Sequence, residues 1–543
     1  MSNYLAKNNA AEQGAAPKRR RKLWLASGVA GLTGVVSIAA VGVATGAGAV
    51  GVDGLKWSTT QQVALDGDQG AEGRDRDRDK GNKGAKDHEY DKDRGKEVPC
   101  DSDKLIQAIV YANNNHGGVL ELAKDCTYTL TRHDGEGNGL PVIEQDVTLK
   151  GHDTKIVRDA TAEYFRILHV GRGGNLKLKG LTIKNGQTLE RRDLAPVTPE
   201  SVWSRYSNSV EATRLAQAGK PYLEVLRAEP KGAAAAKAAA AKAGGVGTLE
   251  QPQENDGAGI LVQPGGTAEI EKSHILGNQS GGSGGGIANF GKTSLHHTTV
   301  AENTAFFFGG GILNAGVLKV SESTIKDNDA IIGGGGIANG APGIFRDDVE
   351  GGTAWIEKTE ITSNETLGFG GGLLDIEGDT TVKYSKITDN TAVIAGGGLA
   401  AADESNVELK DVKVASNTTV GVGGGIALAF GAIANVEHSE IKDNKAGFFG
   451  GGVFTLFGEA TFRDSEISGN RAVGPIGIGG GIFAVFSTVD LDDTKVAHNF
   501  STIRPGGVFS FVSEVNVDDK SAIKANKPTN CLGTVTPVEN CFG

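Results

Sequence analysis

Asp375, Glu377 and Asp379 sit close together on one stretch of chain, Asp403 and Glu404 follow one repeat later, and Lys383 lies between the two groups. Two or three carboxylates at a suitable separation are what hydrolysis of a glycosidic bond requires. A lysine base beside carboxylates that hold calcium is what a polysaccharide lyase requires. Asp375, Asp403 and Lys383 are therefore the candidate catalytic residues. Successive strand residues point to opposite faces, so Asp375 and Ile376 diverge, and the competing reading makes these acids surface or ladder residues that do not converge. Calcium is the one ion suggested. Asp347-Asp348 with Glu350, and Asp490-Leu491-Asp492-Asp493, carry carboxylates enough for it but lack a defined calcium-loop signature. The histidines His152, His169, His296, His297, His438 and His498 show no metal-like partner spacing and read as solvated surface. No P-loop, HExxH or dinucleotide fingerprint occurs, and no other cofactor is expected.

What must position these residues is a repeat. The phrase S-x-I-x-x-N, followed by a glycine run and an apolar residue, returns about every 26 residues. Its asparagines are Asn278, Asn303, Asn328, Asn364, Asn390, Asn417, Asn444, Asn470 and Asn499. The glycine runs follow at Gly284, Gly309, Gly334, Gly370, Gly396, Gly423, Gly450 and Gly479, with a short one at Gly506. A period of this size suits three short strands per turn, each hydrogen-bonded to the next turn about 4.8 Å along an axis. The expected fold is all-β: a right-handed single-stranded parallel β-helix of roughly a dozen three-strand coils. The isoleucine points inward. The asparagine is expected to take the left-handed conformation at a corner and to bond the amide of the next coil. The 82 glycines, roughly twice the usual share, reflect turns more than disorder.

A second inward column runs Asn289, Asn314, Asn339, Asp375, Ala401, Leu428, Thr455, Ala484, Ser510. Asp375 would then be a buried carboxylate that needs a proton or a cation. The loops between asparagine and glycines are apolar, with Phe306, Phe307, Phe308, Phe369, Phe448 and Phe449 the largest members. They either fill a corner of the core or form an exposed binding stripe. On the late coils Phe454, Phe483, Phe509 and Phe511 alternate against the inward positions and are expected to face out, an interface for the C-terminal tail or a second copy.

Residues 1–49 read as an export signal or membrane anchor: Lys18-Arg19-Arg20-Arg21-Lys22, an apolar run over residues 23–43 that could tether the chain to a membrane, and Ala47-Gly48-Ala49. Arg20-Arg21-Lys22-Leu23-Trp24 resembles a bacterial twin-arginine signal. Either reading places the bulk of the chain outside the cell or on its surface. Residues 50–98 alternate in charge and read as a solvated linker. The β-helix spans 99–530, with an insert at 187–256, and 531–543 is a stapled tail. Of the three pairings open to four cysteines, Cys100–Cys126 and Cys531–Cys541 staple one end each. Ser102 or Asp103 caps a short amphipathic helix with Leu105, Ile106, Ile109 and Val110 on one face, which covers the open end of the stack. A formal charge of −11 gives no basic patch, so nucleic acid is excluded as a partner.

Leu105-Ile106-Gln107-Ala108-Ile109, Ala112-Asn113, Gly117-Gly118 and Cys126-Thr127-Tyr128-Thr129-Leu130 together resemble the N-terminal cap of secreted bacterial right-handed parallel β-helix proteins, common in actinobacteria. The GGG[IL] and I-x-x-N phrases are similar to the GGA[ILV] and FxxN repeats of polymorphic outer-membrane proteins, and the wider relatives are the pectin-lyase-like folds. The resemblance covers 100–541 apart from the insert. It implies the fold and carries no catalytic residue, and without a translocator barrel in this chain it does not imply autotransport. The expected function is an exported, rod-like, adhesin-like module that binds a polysaccharide, cell-surface polymer or repeated partner. A polysaccharide lyase or glycoside hydrolase acting near Asp375–Glu404 is the alternative, and a self-assembling surface protein the third.

Overall fold

The computed structural model describes residues 95–188, 252–341 and 349–543. The expected signal or anchor, nearly all of the linker, most of the insert and Asp347-Asp348 lie outside the described residues.

The chain forms an all-β right-handed parallel β-helix of about 13 turns. Its strands make a 25-stranded sheet with two strands per typical turn, an 11-stranded sheet, and a 9-stranded sheet of two-residue strands. Equivalent residues stack in register: Ile287, Ile312, Ile337, Leu373 and Leu399 on the 11-stranded sheet, and Ile325, Ile361 and Ile387 on the 25-stranded one. All are inside the bore and no more than 1% exposed. Each such aliphatic side chain contributes roughly 1.5–3 kcal/mol by leaving water.

The repeated asparagines form a buried ladder. Asn390 illustrates the bonding. Its backbone N–H and its Nδ2 both donate to Asn417 Oδ1, each at 3.0 Å, and Nδ2 also donates to the Ile361 carbonyl at 3.0 Å. The pattern runs from Asn278 to Asn526, so every donor and acceptor of these side chains is satisfied away from water. The left-handed residue is not the asparagine, as expected, but the one before it: Glu302, Asp327, Ser363, Asp389, Ser416 and Asp443 have φ of 53–57°. That bend turns the next side chain into the bore, where the amide reaches its neighbour.

The glycine runs serve a different corner. Gly309 has φ 65°, and a Cβ there would collide with the Ile312 carbonyl. The chain doubles back at this glycine, so the apolar loop before it lies over the outside of the 11-stranded sheet. Outward residues of that sheet (Leu313, Leu374, Phe454, Phe483) and loop residues (Phe308, Ile332, Phe369, Phe448) make a second hydrophobic core, separate from the bore. The loop phenylalanines therefore fill core and not an exposed stripe, although that core is this outer layer and not the bore: Phe308 is 0% exposed, Phe369 and Phe448 are buried, and Phe306, Phe307 and Phe449 are partly buried against the same layer. The late aromatic set is corrected in the same way. Phe454 and Phe483 are buried and Phe509 is partly buried, because pointing out of the bore here means pointing into the covering layer. Only Phe511 of the four is exposed.

The ends are closed. Helix α1 (Ser102–Asn114) is capped by Asp101, whose side chain accepts from the Asp103 and Lys104 amides, so the cap precedes both expected residues, Ser102 and Asp103. It buries Leu105, Ala108, Ile109 and Ala112, while Val110 faces solvent. Lys96–Val98, expected in the linker, is an edge strand on Gly118–Leu122. Cys100–Cys126 and Cys531–Cys541 are the disulfides. Residues 534–536 of the tail bond the backbone of Ser510 and Val512, along the free edge of the strand that carries Phe509 and Phe511. Cys531 and Val538 join Val517 and Ile523 in the bore core and close its far end.

The insert's two ends are held side by side. Arg158 donates to the Asn185 carbonyl and Gln187 Oε1, and Arg166 to the carbonyls of Glu254, Asp256 and Gly257. Thr188 Oγ1 bonds the Asn255 carbonyl across the gap at 2.6 Å.

Candidate functional site

The three candidate catalytic residues occupy three different places. Asp375 lies on Leu373–Ile376 in phase with Leu373, so it points into the bore and is 0% exposed. Asp403 sits at the bend after Leu399–Ala402 in a left-handed conformation, 5% exposed. Lys383 lies on the outer face of the 25-stranded sheet, bonded to Glu408 at 3.0 Å. Strand alternation separates them, and they form no acid–base set. The Asp490–Asp493 run is likewise dispersed: Asp490 accepts from Asn516 and Asp492 pairs with Arg463.

Asp375 ends the hydrogen-bonded polar stretch of the second inward column. Asn289 Nδ2 donates to Asn314 Oδ1 at 2.7 Å, Asn314 to Asn339 at 2.7 Å, and Asn339 to Asp375 Oδ2 at 3.3 Å. The next rung is Ala401, which has no polar side chain, so the terminal member needs only to accept. Burial pushes Asp375 up to about 7, against the pull of hydrogen bonds from Thr380 and Asn339. In the unfolded chain it titrates near 4. Between those values the folded protein holds a proton that the unfolded chain releases. Stability therefore falls as pH rises through this window, by about 1.4 kcal/mol per unit, and the loss is complete above pH ~7. Asp329, raised to about 7 by burial and the neighbouring Glu365, adds to the same slope. Urea melts at pH 5 and 8 should show this fall, and Asp375→Asn should remove Asp375's share of the slope whatever it does to absolute stability. An unchanged slope would mean Asp375 is ionised in the fold.

Lys383 belongs to a site the sequence reading did not single out. The outer face of the 25-stranded sheet has a shallow depression of about 170 Å³ lined by Trp355, Ile356, Glu357, Thr381, Lys383 and Glu408. Trp355 is on Thr353–Glu357 at an outward position, 44% exposed, with Lys319 Nζ 5.4 Å from its ring centre. Lys319, Trp355, Thr381 and Glu408 follow one another in register on four successive turns. Beside them Glu357, Lys383 and Lys410 form a parallel row. Lys383 and Thr381 hold the two oxygens of Glu408, at 3.0 and 3.4 Å. The surroundings are flat and ion-paired, as at Lys410–Glu437 and Arg463–Asp492. A large exposed indole on such a face is informative, because indoles usually find cover. The cue in the sequence was Trp355 in the alternating run Thr353-Ala354-Trp355-Ile356-Glu357, out of phase with the bore residues.

A second pair of acids lies on the 9-stranded sheet. Asp329 and Glu365 are register partners on successive turns, and burial raises both above the ordinary carboxylate range. His169, expected at the surface, is 7% exposed on the 11-stranded sheet, and burial lowers it to about 4, so it is neutral.

Residues 309–501 match the family model described as right handed beta helix region. No curated protein matches the chain. Among the solved structures it is similar to is the A-module of mannuronan C-5 epimerase AlgE6 from Azotobacter vinelandii, at 14% identity, covering 77% of this chain and 94% of that one with a TM-score of 0.38. Another is PfbA, a surface adhesin of Streptococcus pneumoniae, at 8% identity, covering 77% and 88% with a TM-score of 0.33. No helix among the described residues is long and apolar enough to cross a membrane.

Proposed function

We propose that this right-handed parallel β-helix protein is an exported surface module that binds an extended polysaccharide along the outer face of its 25-stranded sheet. The observation that carries the reading is Trp355, a half-exposed indole set among ion-paired polar rows. An indole offers a flat apolar face to the C–H face of a sugar ring. Thr381, Lys383 and Glu408 supply donors and acceptors for its hydroxyl groups. The rows continue along the axis at about 4.8 Å per turn, so a linear polymer meets similar polar groups along its length. Export accords with two disulfides and no free cysteine among the described residues, and with the basic and apolar start of the chain.

The test is a panel of soluble and cell-wall glycans against the protein and Trp355→Ala. Truncating a binding tryptophan costs about 2 kcal/mol, so the variant should bind roughly 30-fold more weakly with an unchanged melting temperature. A panel without a ligand, or a variant that binds as well as the parent, would end the proposal. The enzymatic reading moves from Asp375 and Asp403 to Asp329 and Glu365, since adjacent carboxylates with raised values are what a general acid needs. Following the same panel for new reducing ends or unsaturated products separates that reading from binding alone.

A further inference from the structure

The geometry points to a divalent transition-metal site of the zinc class at His296, His297 and Glu322, on the corner between the two strand columns of the 25-stranded sheet. It goes beyond the polysaccharide reading and does not depend on it. One ligand atom from each of the three residues lies within 4.8 Å of the other two.

The corner brings them together in two steps. His296 is the last residue of Lys292–His296 and points outward. Along a continuing strand His297 would point the other way. It has φ 48°, so the chain bends there, and the two imidazoles end up with ring centres 4.1 Å apart. Glu322, also at φ 48°, occupies the same corner one turn on, and its Oε2 lies 3.1 Å from His297 Nε2. The neighbouring turns bend here too, as Lys272, Lys358 and Tyr384 show, so the bend itself is architecture. What distinguishes this turn is the side chains it carries: two imidazoles, borderline donors, with one carboxylate, a set that zinc takes.

The surrounding bonds favour ligation. His296 Nδ1 is 3.0 Å from Ser321 Oγ, and that hydroxyl donates to the Leu295 carbonyl at 3.4 Å. Ser321 thus accepts from Nδ1–H, which leaves the Nε2 lone pair of His296 for a metal. Four-coordinate zinc with bonds near 2.1 Å spaces its ligand atoms about 3.4 Å apart. The His297–Glu322 pair, at 3.1 Å, is close to that spacing, and His296 is only partly buried. Glu322 Oε1 is also 4.0 Å from Lys358, an exposed contact that a metal would outcompete. Three protein ligands leave a fourth position for water or for a donor group on a partner molecule. The bland alternative is an exposed His297–Glu322 ion pair, worth about 0–1 kcal/mol.

Calorimetric titration of untagged protein with zinc chloride tests the assignment. One ion should bind per chain, and His296→Ala and His297→Ala should each weaken it at least tenfold. His438→Ala is the control: His438 lies at the same corner, flanked by Glu437 at 3.7 Å and Asp464 at 3.6 Å, and has no second imidazole beside it. That variant should bind as the parent does. All three histidines are at least partly exposed, so circular dichroism should show unchanged folding. Absence of stoichiometric binding, or binding that survives both His296→Ala and His297→Ala, would overturn the site. Loss of binding in His438→Ala alone would overturn it equally.

Discussion

Asn417→Ala should cost about 4 kcal/mol, although it removes a small polar side chain. Asn417 Oδ1 accepts from both the backbone N–H and Nδ2 of Asn390, and its own Nδ2 donates to the Ile387 carbonyl and to Asn444 Oδ1. All these atoms are buried. Alanine leaves the backbone N–H of Asn390 and one of its two Nδ2 protons without an acceptor, and each such orphan costs about 1–3 kcal/mol. The backbone bond from residue 417 to Asn444 survives, so the loss belongs to the side chain. Because each turn touches mainly its neighbours, the damage should be local. Hydrogen exchange should accelerate in the turns carrying Asn390, Asn417 and Asn444 and leave α1 protected. A variant less than 1 kcal/mol below the parent in urea would show that the ladder is not a source of stability.

Phe454→Ala should destabilise the protein by about 3–5 kcal/mol and make it less soluble. An aromatic that points away from the bore would ordinarily be removed to improve a surface. Here its ring is 0% exposed and stacks on Phe483 at 5.8 Å, which in turn stacks on Phe449 at 4.5 Å and Phe509 at 4.6 Å. Truncation opens a cavity in the layer between loop and sheet. The measurement is a urea melt with scattering recorded alongside. An unchanged midpoint with reduced self-association would restore the view of Phe454 as an interface residue.

The repeat made much of this fold legible. The isoleucine, asparagine and glycine of each turn recur at one period, and each marks one corner or one inward position. The inward column from Asn289 to Asp375 was readable because it follows the restart residue by two. What stayed hidden depends on how the chain bends between strands. Period-two alternation says whether Phe454 leaves the bore and says nothing of what lies outside. The cover at Phe308 and Phe448 comes from a reversal at the first glycine, and no periodicity encodes that. Asp375, Asp403 and Lys383 are close in sequence, but the bends between their strands send them to different faces. His296 and His297 show no partner in the sequence for the converse reason: the turn period makes residues 25 positions apart neighbours, and Glu322 is one of these.

The stacked asparagines have a consequence for how such a molecule changes over generations. Each presents the same donors on one side and the same acceptors on the other, so any two turns bearing them can be joined. A duplication or loss of one whole unit in the gene would need no new joint, and would lengthen or shorten the product by about 4.8 Å. Reach is then a matter of copy number, heritable in uniform steps.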